Sequence, residues 1–463
     1  MFLELNKKKC NAIAAIEDSG KKITYGEICD YCEKTKTLIP ERSIVFILCK
    51  NTIGALKAYI SCVENNSVPL MLSAAIDKEL LNSLLNTYKP QYIWVPVEKN
   101  YDLRKMCEED NYVLYKTENK KYEIYKELEL LMTTSGSTGS PKLVRYKKGN
   151  LEANAENVAK AFQWNEKEKP LCDLAMNYTM GLNVINTHLY VGATLILTTY
   201  NIMSREFWKV VKEQKVTNFT GVPFSYELMF KLKFEKMELP YLKTLAEGGG
   251  KLTDDMFRLL TEYAEEHGKR FIATFGTTET AARMAFLPEQ YTKEKVGSIG
   301  KAIPNGKLFL LDQEGKEIVD SNVEGELAYQ GPNVTLGYAI CKEDLKKGDE
   351  FLGEYHTGDI AKKDEDGFFY IVGRKNRFIK LLGYRVSLDQ CERLIKTKFS
   401  IECACSGNDK KMYIYIVDAT KEKEVLKYIS EKTGMFQSLF EVRIIESIPK
   451  NESGKIMYKK LEG

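Results

Sequence analysis

Thr134-Ser135-Gly136-Ser137-Thr138-Gly139-Ser140-Pro141-Lys142 packs four hydroxyls and two glycines into its first six residues and ends on a lysine. Glycine lets backbone amides approach an anion closely, and Ser and Thr hydroxyls donate further hydrogen bonds. An apolar run over 128–132, broken by Glu129, precedes the stretch, and a helix-period pattern starts near Asn150. A strand, a glycine-rich turn and a lysine in this order make a candidate polyphosphate loop. It is not a Walker loop, because G-x-x-x-x-G-K-[ST] cannot be fitted to it. A Ser/Thr/Gly cluster alone reads equally as a flexible surface turn, so the rest of the chain has to decide.

Outward from this loop, short apolar runs alternate with helix-period segments, as in 43–49 then 53–63, or 80–85 then 92–97. That alternation predicts an α/β fold of layered sheets and helices. Asn150 is placed to cap a helix whose Leu151, Ala155, Val158 and Phe162 share a face. Residues 193–197 and 271–275 read as buried strands. A break falls at Arg374 to Asn376, after a compact strand over 368–372. Beyond it the chain restarts with its own α/β pattern over 388–395, 412–417, 425–429 and 442–445. About ninety residues can form a small domain. The expected division is a large N-terminal domain over 1–374 and a small C-terminal domain over 375–463.

With 463 residues and 44% hydrophobic content, the chain can bury a sizeable core. Its 68 Lys and Arg against 65 Asp and Glu leave a dispersed net charge of +3, which argues against a nucleic-acid-binding stripe. Eleven cysteines include one C-x-x-C pair, Cys29 and Cys32, with no second pair or histidine cluster to complete a zinc site. The pair falls in a helix-like segment where i and i+3 share a face, so core packing is the reading. Cys403 and Cys405 share one face of a strand. The N-terminus lacks the order of a signal peptide, and no apolar run approaches the ~18 residues that span a membrane. The expectation is a soluble cytoplasmic protein with no nucleic-acid partner.

Four further segments carry chemistry. Phe275-Gly276-Thr277-Thr278-Glu279 follows a buried strand, and Tyr355-His356-Thr357-Gly358-Asp359 follows a charged loop. Gly373-Arg374-Lys375-Asn376-Arg377 opens the restart, with Gly383 seven residues beyond Asn376, and Pro449-Lys450-Asn451-Glu452-Ser453-Gly454-Lys455 lies near the C-terminus. Five motifs in this order, with suitable spacing, resemble the adenylate-forming superfamily of AMP-dependent synthetases and ligases. Its members include acyl-CoA synthetases, adenylation domains of nonribosomal peptide synthetases, and luciferases. The resemblance runs from Ile23-Thr24-Tyr25-Gly26-Glu27 nearly to the end.

The resemblance implies roles residue by residue. Thr134, Ser135, Gly136, Ser137, Thr138 and Gly139 with Lys142 would hold the β- and γ-phosphates of ATP. Thr138 and Glu279 would support Mg²⁺, a hard cation that prefers oxygen ligands. Gly248, Gly249 and Gly250 would flank the adenine, with Phe275 offering a ring face and Gly276, Thr277 and Thr278 completing the nucleotide segment. Asp359 would accept the ribose hydroxyls, and Arg374 would reach ribose and phosphate. Lys455 would bridge carboxylate and α-phosphate in the transition state. Tyr178 matches a position that gates the acyl pocket, Asn376 the hinge, and Gly383 the passage for a pantetheine arm.

The implied activity is activation of a carboxylic acid as acyl-adenylate, then transfer to the thiol of coenzyme A or of a carrier protein's phosphopantetheine. An adenylate-only or amine-transferring ligase, and a non-catalytic nucleotide-binding homologue, are the alternatives. Three departures qualify the match. Leu143 stands where a glycine usually follows Pro-Lys, and Asn376 replaces the usual hinge Asp or Lys. No acid occurs from Leu174 to Gly192, which argues against an α-amino acid substrate.

Overall fold

Strands Asn218–Gly221, Thr244–Glu247 and Arg270–Phe275 are buried along almost their whole length. They lie side by side and parallel, in register through Asn218, Thr244 and Arg270. Parallel strands covered by helices on both faces have this near-continuous burial. Helices Pro223–Lys231 and Asp254–Glu266 make the crossovers between them. All three strands therefore end, at Gly221, Glu247 and Phe275, on one edge of the sheet.

This computed structural model describes residues 1–133, 142–381, 384–408, 410–451 and 454–461. The described chain forms two compact units, one of 1–308 with 329–355 and one of 309–328 with 356–463. The first unit holds two large sheets. The three strands above belong to a nine-stranded sheet that continues through Pro170–Cys172, Leu195–Leu197 and Ile13–Glu17 to Lys22–Thr24. Ala285–Leu287 and Lys301–Ala302 extend its other side, both antiparallel. An eight-stranded sheet has the order Gly337–Ala339, Leu143–Lys147, Leu128–Thr133, Val68–Ser73, Ile44–Cys49, Tyr92–Pro96, Tyr112–Lys116, Arg104–Glu109. One core cluster draws on both sheets through Ala15, Leu195, Val45 and Met132, and on helices through Ile28, Leu56, Leu151 and Ile185. The fold is α/β, as the alternation of runs predicts.

Helix Tyr25–Thr35 begins at a capping box, in which Thr24 accepts from the Glu27 amide and Glu27 from the Thr24 amide. Cys32 packs in its core and Cys29 is half-buried. Asn150 is the first residue of helix Asn150–Phe162 rather than its cap, which is Gly149. The Asn150 side chain works across the fold instead: Oδ1 accepts from the Lys147 amide, and Nδ2 donates to the Pro332 and Val334 carbonyls.

The second unit contains most of a five-stranded sheet ordered Glu317–Ile318, Lys307–Leu311, Glu324–Gln330, Glu354–Lys363, Phe369–Arg374. It also holds the hairpin of Phe378–Leu381 with Tyr384–Ser387, and a three-stranded sheet, Cys403–Asn408, Lys411–Ile416 and Phe440–Ile444. Helices Leu388–Phe399 and Glu422–Thr433 bury Cys391, Ile395, Val425 and Ile429 on its core, where Cys403 and Cys405 also pack. The five-stranded sheet keeps 309–328 and 356–374 with the C-terminal residues, so the compact units part earlier in the chain than the composition break at 374–375.

Asp173, just after Pro170–Cys172, ends its strand on the same edge as Gly221 and Glu247. Its Oδ1 is sealed without a protein partner, and burial pushes the carboxyl up to about 7 despite bonds from its own and the Leu174 amides. The folded state thus holds a proton that an unfolded aspartate releases near pH 4. The stability linked to that proton is complete below the unfolded value and is lost as pH rises through about 7. Asp173→Asn keeps an acceptor for the two amides and carries no charge. It should therefore be more stable than the parent at pH 8, by about 2–4 kcal/mol, with the gain fading toward pH 4. Denaturant unfolding at both pH values checks this, and a difference independent of pH contradicts it.

Candidate active site

In open parallel sheets, ligands settle in the crevice beyond the carboxyl ends of the strands. Here that edge carries Gly248-Gly249-Gly250 directly after Thr244–Glu247 and Gly276-Thr277-Thr278-Glu279 directly after Arg270–Phe275. The glycines are demanded by contact. A Cβ on Gly248 would lie 2.5 Å from Met180 Cε and 2.6 Å from Thr274 Oγ1. Gly249 has φ +83°, and a Cβ there would strike the Tyr178 hydroxyl. Tyr178, at the start of helix Thr179–Val191, is thereby seated against the glycine loop. Burial pushes its hydroxyl up to about 12, so it stays protonated. Phe275 is half-buried at the strand end.

Glu279 sits in the single turn Thr278–Thr280 with only 9% of its surface exposed. Tyr338 donates its hydroxyl to Glu279 Oε1 at 2.7 Å. The Lys142 ammonium lies 3.6 Å from the centroid of the same Tyr338 ring, a cation–π contact. Burial, then the charge of Glu279, keeps the Tyr338 phenol protonated. Below the turn, Tyr146 donates to the Thr278 carbonyl at 2.7 Å and Thr179 Oγ1 lies 3.2 Å from Thr278 Oγ1. Asn333 fixes the far side by donating to the Thr280 and Arg283 carbonyls. The result is a buried carboxylate with one oxygen committed and lone pairs remaining, chemistry that fits a magnesium ligand. Thr138, its expected companion, lies outside the described residues, as do Thr134, Ser135, Gly136, Ser137 and Gly139.

Sequence reasoning missed two buried ionisable side chains near the edge, Glu247 and Arg283. Arg283 is fully buried, with Nη1 donating to Asn183 Oδ1 at 2.7 Å and its guanidinium over the Phe162 ring. Burial pushes it down to about 9. Burial likewise holds the Glu247 carboxyl well above the usual range, with Arg283 pulling the other way.

In the second unit, Asp359 and Arg374 are cross-strand partners in an antiparallel pair. Arg374 Nε donates to Asp359 Oδ1 at 3.2 Å. Gly358, at φ +72°, turns the backbone into Asp359, whose amide is held by Thr357 Oγ1 at 3.0 Å. The Asp359 side chain is buried and the Arg374 side chain is 64% exposed. Lys455 sits in a small hairpin: Lys450 bridges Ile456, the Asn451 amide donates to the Lys455 carbonyl, and the Lys455 amide donates to Asn451 Oδ1. The backbone of residue 376 lies in the turn Lys375–Arg377, and Gly383 lies outside the described residues.

A glycine-lined strand edge beside a buried carboxylate has the backbone access and the oxygen ligand that a nucleotide and its metal require. The family model described as AMP-binding enzyme matches residues 2–339, and the chain belongs to that family. Oxalate–CoA ligase of Arabidopsis thaliana is 27% identical over 71% of the chain, although the alignment spans 65% of that relative, under two thirds of its length. The 2-succinylbenzoate–CoA ligase of Bacillus cereus is 25% identical over 96% of the chain and 94% of its own length. Among solved structures, O-succinylbenzoate coenzyme A synthetase of Bacillus subtilis, in complex with ATP and magnesium ion, superposes with a TM-score of 0.78. It is 19% identical and covers 98% of this chain and 97% of that one, a likeness of fold.

Gly276 supplies a direct test of how tightly the edge is built. A Cβ there would fall 1.8 Å from the Ala282 carbonyl oxygen and 2.7 Å from Arg283 Cα, so backbone rather than a flexible side chain would have to shift. Gly276→Ala should lose about 1–3 kcal/mol of stability through overpacking, read by urea unfolding. A loss below about 0.5 kcal/mol, the scale of a neutral surface change, would show that the turn is loosely packed.

Proposed function

We propose that the protein activates a carboxylic acid with ATP, forming an acyl-adenylate and pyrophosphate, and then passes the acyl group to a thiol. The observation that carries this reading is the meeting of Gly248–Gly250, Phe275 and the buried Glu279 on one strand edge, in a chain of the AMP-binding enzyme family. Coenzyme A is the acceptor that the names of the oxalate and 2-succinylbenzoate ligases support. A carrier-protein phosphopantetheine presents the same thiol. All eleven cysteines are free, which supports a reducing compartment such as the cytoplasm. Among the described residues, no helix is long and apolar enough to cross a membrane.

In this reading Gly248–Gly250 and Phe275 bind the adenine, Asp359 accepts the ribose diol, and Arg374 adds positive charge beside it. Lys142 and residues 134–139 take the phosphates. Glu279, steadied by Tyr338, and Thr138 would hold magnesium, which when bound neutralises phosphate charge. Tyr178 borders the acyl group. Lys455 brings an ammonium to the charge that develops between carboxylate and α-phosphate. A lid over 375–463, hinged at Asn376, would present Lys455 for the first half-reaction and Gly383 for the second.

ATP–pyrophosphate exchange with a panel including oxalate, 2-succinylbenzoate and 4-coumarate tests the first half-reaction, and coenzyme A added afterwards tests the second. Exchange with no acid would favour a non-catalytic nucleotide-binding role. With the acid that exchanges fastest, Lys455→Ala should lower kcat by about 10²–10⁴ while KM for ATP changes little, as for loss of one preorganised electrostatic contact. Exchange near the parent rate would remove Lys455 from the reaction.

A further inference from the structure

Arg377 follows the proposed hinge residue directly, yet its side chain is only 11% exposed. Each face of its guanidinium is used. Nε donates to Asp389 Oδ1 at 2.9 Å, Nη2 to Glu392 Oε1 at 2.6 Å, and Nη1 to the Cys405 carbonyl at 2.7 Å. The plane stacks on Tyr458, 3.7 Å from the ring centroid. Glu392 closes the circuit, because Oε1 also accepts from the Cys405 amide at 2.7 Å and Oε2 from the Tyr458 hydroxyl at 3.1 Å. Asp389 reaches back, its Oδ2 accepting from the Arg374 amide at 3.1 Å. One guanidinium thus joins the 374–377 segment, helix Leu388–Phe399, strand Cys403–Asn408 and Tyr458.

Tyr458 stands three residues after Lys455, at the exit of the hairpin that carries it. The base of that hairpin is fastened on both limbs. The Met457 amide donates to the Pro449 carbonyl at 2.8 Å, and Ile448, Leu461, Ala404 and Tyr415 form a small core against which Ile456 and Tyr458 pack. The Tyr415 hydroxyl donates to the Leu461 carbonyl at 2.6 Å. The position of Lys455 is therefore set by Tyr458, and Tyr458 is seated on Arg377.

We propose that Arg377 is a positioning residue for Lys455: with Glu392 and Tyr458 it clamps the Lys455 hairpin to the segment after residue 376, so that hinge and hairpin turn as one block. The proposal deepens the reading of Lys455 given above and rests on it. A buried ion pair is a poor source of net stability, because desolvation offsets the attraction, but three directional bonds and a stacked plane fix orientation closely. Arg377 is held charged here: burial works against it, and Glu392, Tyr458 and Asp389 more than offset that. A lysine would keep the charge and lose the fork and the stack.

The test uses the full chain and two variants, Arg377→Lys and Tyr458→Leu, with Tyr458→Phe as the conservative control. Amide hydrogen exchange needs no substrate. In both variants the Lys455 and Met457 amides should exchange about tenfold faster or more, while strand Lys411–Ile416 keeps its protection and Tyr458→Phe, which keeps the ring, restores most of it. Unchanged protection at the two amides overturns the clamp. Loss of protection across the strand as well makes Arg377 a plain core residue and overturns it too. With the acid that supports the fastest exchange, both variants should lower kcat of pyrophosphate exchange about tenfold or more, with KM for ATP within about twofold and thioester formation from supplied acyl-adenylate little changed. Equal losses in both half-reactions contradict positioning. If Lys455→Ala itself leaves exchange intact, the assignment of Lys455 falls, and the catalytic half of this proposal with it, whereas the amide-exchange result still judges the clamp.

Discussion

The parallel alignment of Asn218–Gly221, Thr244–Glu247 and Arg270–Phe275 is the constraint on which the first unit's candidate site depends. Once three neighbouring strands run the same way, the segments that follow them must share an edge. Two of those segments are then forced to be glycine-rich, because Gly248 meets Met180 and Thr274 and Gly276 meets the Ala282 carbonyl. The same crowding that excludes side chains leaves backbone exposed to a flat ring or an anion. Glu279 gains its place indirectly: the turn that carries it is pinned by Tyr146 from one sheet and by Asn333 from the segment after Gln330.

Charge at this edge is handled by burial and partner choice. Glu279 accepts from the Tyr338 hydroxyl through one oxygen, which leaves lone pairs suited to a metal. Glu247 and Arg283 lie deeper, each pushed toward its neutral form by burial. Such groups are costly in an interior, and their retention a few residues from Gly248 and Gly276 ties them to the edge rather than to a remote core. Asp359 and Arg374 show a different arrangement: the acid is buried, the base is exposed, and one bond joins them across two strands.

Much of this was legible in the sequence. The α/β alternation and the paired apolar runs follow from side-chain periodicity, which is local. The glycine loops, Glu279, Asp359 and Lys455 were singled out because each sits in a short motif that resembles the family's, and their roles are proposals. Residues that support them were not. Tyr338 and Tyr146 reach Glu279 and Thr278 from strands 59 and 132 residues away in the chain, and no spacing rule encodes such a contact. Asn150 looked like a cap because Asn often caps, but tertiary acceptors at Pro332 and Val334 claimed its side chain. Nothing in its motif marks Arg377, whose partners Glu392 and Tyr458 converge only after helix Leu388–Phe399 and the C-terminal turn have packed. Residues 309–328 joined the second unit through sheet pairing with 356–374, a long-range event that composition does not reveal.

The central claim is that the edge formed by Gly248–Gly250 and Phe275–Thr278 receives an adenine nucleotide. Photolabelling with 8-azido-ATP, followed by peptide mapping, measures this directly and needs no knowledge of the acid. The account predicts label on peptides containing 248–250 or 275–278, lost when unmodified ATP is added in excess. Label that maps elsewhere in the first unit, or that resists competition by ATP, would contradict it.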